Sequence, residues 1–198
     1  MQREVSPSPV EIRTVAVIGA GTAGRSFALA CVAAGFHVVL EDVMPANLRR
    51  AEADFAEMDL RDSPGRLDLA LTVEDAVREA DIAVDFVPDE LESKLEIFSM
   101  VDRMAPPKTI LCTPSDALSI TDLASCVYRP ERCFAVRGGF AAGVSGLGSL
   151  VRLLYPASAD ASTLAAAEGF LRSLRMNVQS EPDPDVPVLV KNQTQATL

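Results

Sequence analysis

Near the N-terminus, Gly19-Ala20-Gly21-Thr22-Ala23-Gly24 sets three glycines at the G-x-G-x-x-G spacing. That spacing suits a phosphate group. Gly19 permits a tight turn, Gly21 keeps a side chain out of the path of a pyrophosphate, and Gly24 lets the following helix pack close to its strand. Thr22 and Ala23 complete the turn, where the free N–H groups and dipole of a helix N-terminus attract an anion. Alone the pattern is a weak signal. Here it follows a β-branched apolar run over 12–18 and opens a stretch of small and apolar residues over 22–34, so it joins a strand to a helix. A second apolar run over 36–40 ends in Glu41 and Asp42. Asp42 falls close to the spacing at which a carboxylate accepts hydrogen bonds from the adenosine ribose and repels a 2′-phosphate. The expected cofactor is therefore NAD rather than NADP. Glu41 is the less favoured contact.

Other reactive residue types are sparse. The four cysteines, Cys31, Cys112, Cys126 and Cys133, show no C-x-x-C spacing, and the single histidine, His37, lies among apolar residues in an expected strand. This argues against a zinc site. Cys31 and Cys112 read as small buried hydrophobes, as suits a reducing compartment.

The elements that must position the glycine turn are read from periodicity. Gly35 stops the first helix. Pro45 opens a helix to about residue 58, and 61–65 reads as a loop. Thr72 is an N-cap for a short helix over 73–80. A strand over 82–87 ends at Pro88, and the next helix places Leu91, Leu95, Phe98 and Val101 on one face, predicted to be core. Strands follow at 109–113 and 133–136, with a short helix over 121–127 between them. Residues 138–148 hold five glycines and read as a connection, flexible or close to a ligand. A strand over 150–155, an Ala-rich helix over 159–174 and a short strand over 177–180 complete the pattern. The predicted fold class is α/β: a Rossmann-type doubly wound, largely parallel sheet with helices on both faces. One domain is expected over 1–181, with residues 1–10 as a flexible arm and 182–198 as a Pro-rich hinge and the start of a helix.

Composition sets the limits of function. The 198 residues are 48% apolar and 23% charged, as in an ordinary packed domain. Eighteen Lys plus Arg stand against 28 Asp plus Glu, a formal net charge of -10 that repels nucleic acid and anionic membrane surfaces. No N-terminal apolar segment or membrane-length run is present, so the expected location is cytoplasmic.

From the glycine turn onward the chain resembles the NAD-binding domain of the 3-hydroxyacyl-CoA dehydrogenases, over residues 12–192. The resemblance rests on Val15-Ala16-Val17-Ile18-Gly19-Ala20-Gly21-Thr22, and on Val87-Pro88-Asp89-Glu90-Leu91-Glu92-Ser93-Lys94, which looks like the family's V-P-E-x-L-x-x-K segment. Leu118-Ser119-Ile120-Thr121-Asp122-Leu123 and Arg129-Pro130-Glu131-Arg132 match in order and spacing. It implies that Asp89 contacts the nicotinamide half of the cofactor and that Lys94 lies near it. It also implies a catalytic histidine and an orienting glutamate. The histidine position is Arg137, a guanidinium that stays charged and is no base. The glutamate position is Arg152, and the substrate-binding serine is Asp116. Asn192 matches the asparagine of the family's P-G-F-I-x-N stretch, after which the chain soon ends, within what reads as the start of a helix. The coincident changes predict that Asp116 and Arg137 form an ion pair across the site.

Three readings remain. One is an oxidoreductase in which Asp116 is the base and Arg137 orients a carboxylate or carbonyl of a small hydroxy or keto substrate. Another is a non-catalytic NAD-binding module. The third is a fragment of a longer chain. A homo-oligomer is left open.

Overall fold

The computed structural model describes residues 10–59, 65–138 and 149–184. Their order is β1(Thr14–Ile18), α1(Thr22–Ala33), β2(His37–Glu41), α2(Pro45–Ala56), β3(Arg66–Ala70), α3(Val73–Val77), β4(Ile82–Asp85), α4(Leu91–Met104), β5(Ile110–Pro114), α5(Ile120–Ser125), β6(Cys133–Arg137), β7(Leu150–Tyr155), α6(Ala161–Ser173) and β8(Asn177–Pro182). The strands form one sheet of order β3-β2-β1-β4-β5-β6-β7-β8, parallel throughout except for the β6–β7 pair. The chain reverses its winding between β1 and β4, so a crevice opens at the C-terminal ends of those two strands.

Strand residues alternate between two cores. Val15, Val17, Val38, Leu40, Ile82 and Val84 face α1, α2 and α6, where Phe27, Leu48 and Phe170 close the layer. Ala16, Ile18, Ala83 and Leu111 face α3, α4 and α5, where Val77, Phe98 and Leu123 pack. This is the doubly wound, largely parallel sheet with helices on both faces that the periodicity predicts. Thr72 caps α3 by accepting from the Asp75 amide, and Gly35 adopts φ +97° to end α1.

Four expectations are corrected. Of the residues predicted to be core on α4, Phe98 and Val101 are buried, but Leu91 is exposed and Leu95 half-buried, because the helix turns Lys94 and Ile97 inward. Strand β3 is absent from the sequence reading, because Arg66 and Asp68 interrupt its apolar residues, as an edge strand tolerates. The first helix after Thr72 ends early, at Val77. The polar run expected as a hinge begins inside the sheet: Glu181 and Pro182 complete β8, and the Asp183 carboxylate accepts from Ser119 Oγ at 2.8 Å and the Thr121 amide at 2.7 Å. Asn192, nearly all of the 138–148 glycine segment and most of the N-terminal arm lie outside the described residues.

Candidate functional site

The glycine turn sits at the crevice. Gly19 has φ +96°, a left-handed conformation that glycine adopts without strain, and its amide donates to the Glu41 carbonyl at 2.8 Å. A Cβ on Gly24 would stand 1.9 Å from the Gly19 carbonyl oxygen, so α1 is pressed directly onto the turn. Phe86 holds the other side: its amide donates to Ile18 at 2.7 Å and its ring packs against Phe27 with centroids 5.2 Å apart. A Cβ on Gly21, in contrast, would meet nothing within 4 Å. Gly21 is the N-cap of α1, no side chain caps that helix, and its first turn carries no acid. The amide donors around Thr22, Ala23 and Gly24 therefore face an open cradle of the kind a pyrophosphate fills.

Asp42 is buried rather than solvated. Its Oδ2 accepts from the Ala20 amide at 2.8 Å and from Asn47 Nδ2 at 3.0 Å, and its Oδ1 accepts from the Met44 amide at 2.7 Å. An ionised carboxylate offers about four acceptor positions, so these bonds leave room for one more partner. Asp42 thus ties the end of β2 to the glycine turn while keeping an acceptor. Glu41 is buried beside it. Desolvation raises its pKa, the Asp42 charge adds to the rise, and the Gly19 amide opposes them.

Beyond the turn lies a cleft of about 240 Å³ bordered by Ala23, Val87, Asp89, Lys94, Asp116 and Gly138. Larger open hollows lie beside α6 and near Asp81, away from the turn. In the cleft Asp89 and Asp116 are joined through the backbone, the Asp116 amide donating to Asp89 Oδ2 at 3.2 Å. Asp116 Oδ1 accepts from the Gly138 amide at 3.2 Å. Both side chains are exposed.

Lys94 is 1% exposed. Its Nζ donates to Asp85 Oδ1 at 2.6 Å and to the Pro114 carbonyl at 3.1 Å, so it bridges the ends of β4 and β5 beneath the cleft. Burial pushes the Asp85 carboxyl pKa up, and the Lys94 ammonium opposes that rise. Asp85 went unnoticed in the sequence. The available signal was a carboxylate closing an apolar strand shortly before a lysine in the next helix.

The predicted Asp116–Arg137 ion pair does not form among the described residues. Arg137 instead donates from a terminal guanidinium nitrogen to the Leu118 carbonyl at 3.1 Å, and Asp116 turns to the Gly138 amide. Arg137 and Arg152 are register partners on β6 and β7, so their side chains leave one face of the sheet side by side. Arg152 answers the like charge by pairing with Glu181 at 3.2 Å. The two positions where the resemblance implies a histidine and its orienting glutamate are thus neighbours in space, and both carry cations.

A doubly wound sheet whose glycine turn, helix N-terminus and Asp42 converge at the strand reversal defines a dinucleotide-binding domain of the dehydrogenase type. Residues 14–178 match the model of the family described as "3-hydroxyacyl-CoA dehydrogenase, NAD binding domain", and the chain belongs to it. Its cofactor is NAD. Among curated relatives it is 32% identical to a probable 3-hydroxybutyryl-CoA dehydrogenase of Bacillus subtilis, over 62% of this chain and 47% of that protein. It is 30% identical to an L-carnitine dehydrogenase of Burkholderia mallei, over 84% of this chain and 54% of that protein. The chain spans about half the length of these relatives. The crystal structure of the (S)-3-hydroxybutyryl-CoA dehydrogenase from Ralstonia eutropha superposes with a TM-score of 0.78 at 24% identity, over 87% of this chain and 64% of that one, which establishes the shared fold.

Proposed function

We propose that the chain is the NAD-binding half of an oxidoreductase acting on a small hydroxy or keto substrate, with Asp116 as its proton-handling group. NAD, when bound, accepts hydride from the carbon bearing the hydroxyl. The observation that carries the reading is Asp116: an exposed carboxylate in the 240 Å³ cleft, across from the glycine turn and aimed by the Gly138 amide. A carboxylate so placed takes the hydroxyl proton, a role that typically contributes about 10²–10⁴-fold to the rate. Asp89 borders the same cleft on the nicotinamide side, and Gly19, Gly21, Thr22, Ala23, Gly24 and Asp42 hold the adenosine and pyrophosphate part. Arg137, which precedes the cleft residue Gly138, favours a substrate that offers a carboxylate or carbonyl for it to orient. Asn192 is assigned to the substrate side by the resemblance alone. Free, buried Cys31, Cys112 and Cys133 support a reducing, cytoplasmic setting.

The substitution of both Arg137 and Arg152 into the positions of a histidine and its glutamate favours a second reading, a module that binds NAD without turnover. NADH formation from small 2- and 3-hydroxy acids, compared with a 3-hydroxyacyl-CoA, separates the two. Turnover of the small acids, reduced about 100-fold or more in D116N, upholds the first reading. Tight NADH binding with no turnover of any of them assigns the module.

A further inference from the structure

We infer that Asp85 is a positioning residue for the cofactor cleft: by holding the Lys94 ammonium in place beneath it, Asp85 sets the Pro114 carbonyl and the turn that carries Ser115 and Asp116. The inference rests on the cleft being the NAD site.

Asp85 is the last residue of β4, opposite Ile18 of β1 immediately before the glycine turn, with β5 on its other side. Its side chain leaves the same face of the sheet as Ala83, where α4 packs. A charged pair in such a place is expensive, since apolar residues of similar volume often serve stability equally well or better. The side chains of Lys94 and Asp85 are 1% and 5% exposed, and among the described residues Asp85 Oδ2 has no well-formed hydrogen bond. A pair imperfectly satisfied and fully desolvated is therefore a poor device for stability.

Its connections lead to the cleft instead. Lys94 spends one N–H on Asp85 and another on the Pro114 carbonyl. From Pro114 the chain turns at once into the cleft wall: the Ser115 amide donates to the Val136 carbonyl at 3.2 Å, Ser115 Oγ accepts from the Leu118 amide at 2.9 Å, and the Asp116 amide meets Asp89. Without the carboxylate the ammonium has no counter-charge to hold it under the sheet end, and the long, flexible lysine stem is free to seek the cleft and solvent. The turn then loses its tether from below. Asp85 touches neither cofactor nor substrate in this scheme and acts only through Lys94.

The test is a double-mutant cycle read in two ways: NADH affinity by fluorescence titration, and amide hydrogen exchange at Ser115 and Asp116 relative to the β2 strand. D85N and K94M are each expected to weaken NADH about tenfold or more, and D85N/K94M to be no weaker than K94M alone. Exchange at Ser115 and Asp116 is expected to quicken in all three while β2 stays protected, and D85E is expected to recover part of the lost affinity. Parent-like affinity in folded D85N, or losses that multiply in the double variant, overturns the inference. Should D85N fail to fold, D85N/K94M, which leaves no buried charge, carries the exchange measurement, and parent-like protection at Ser115 and Asp116 there overturns it. If the parent chain itself does not bind NADH, the cofactor reading falls, while the exchange comparison still decides whether Asp85 orders the turn.

Discussion

Gly21 and Gly24 occupy one turn and answer to different constraints. A methyl on Gly24 would meet the Gly19 carbonyl at 1.9 Å, backbone against backbone, whereas a methyl on Gly21 would meet open space. Gly24→Ala is therefore expected to lower stability by about 1–3 kcal/mol through overpacking, seen as an earlier thermal transition. Gly21→Ala is expected to melt like the parent and to lose about tenfold or more in NADH affinity, because its Cβ stands where the pyrophosphate must approach. Equal melting losses in both variants would refute the distinction between a packing glycine and a ligand glycine. The cysteines show the same dependence on surroundings. Burial pushes the Cys112 thiol up to about 12, and Cys31 and Cys133 are raised as well, which removes them from nucleophilic chemistry at neutral pH.

At the scale of elements, the helix ends decide how α1 and α6 hand the chain to the next strand. Both close in the same way: the Phe36 amide reaches the Cys31 carbonyl at 3.1 Å after α1, and the Met176 amide reaches the Leu171 carbonyl at 3.3 Å after α6. The left-handed residue that makes this closure is Gly35 in the first case and Arg175, with φ 64°, in the second. A non-glycine residue in that conformation costs about 1–2 kcal/mol, partly offset by its smaller loss of chain entropy. Arg175→Gly is accordingly expected to raise stability by about 0.5–1 kcal/mol in urea unfolding, without altering NADH affinity, since Arg175 is exposed and lies after α6. A loss of stability would show that the Arg175 side chain contributes more than its backbone costs.

The molecule as a whole is fastened at both ends of its parallel strands. At the C-terminal ends the fastener is Asp42, which ties β2 to the glycine turn. At the N-terminal ends it is Asp81, which accepts from the Arg13 and Thr14 amides at 2.9 Å each and pairs with Lys108. Burial alone would raise the Asp81 pKa, but the Lys108 hydrogen bond, the two amides and the Lys108 charge together hold it below the ordinary aspartate value. A carboxyl whose folded pKa lies below its unfolded value adds stability that is complete above the unfolded value and disappears as pH falls through the folded one. Stability is thus expected to drop as pH falls below about 3.8, and Asp81→Asn is expected to cost about 1–2 kcal/mol at pH 7 and flatten that acid dependence. Denaturant titrations at several pH values would check this, and an unchanged acid slope in the variant would contradict it.

Local pattern determined much of this protein. The alternation of apolar runs with helical stretches, and glycines at fixed offsets after the first run, are enough to give a doubly wound sheet and a phosphate cradle, because strand period, helix period and backbone freedom are properties of neighbouring residues. The turn that Gly19, Gly21 and Gly24 make, with Asp42 closing the second strand beside it, was legible for that reason. Strand β3 was not, since Arg66-Leu67-Asp68-Leu69-Ala70 becomes a strand only by pairing with β2. Tertiary structure alone decided the charges. Lys94, placed near the cofactor by the resemblance, lies buried on Asp85, Asp116 and Arg137 read as a pair and part to separate backbone partners, and Arg137 meets Arg152 through the antiparallel register of two successive strands. Which opposite charges meet, and which polar atoms are cut off from water, depends on three-dimensional distance and desolvation, and neither is a property of residue order.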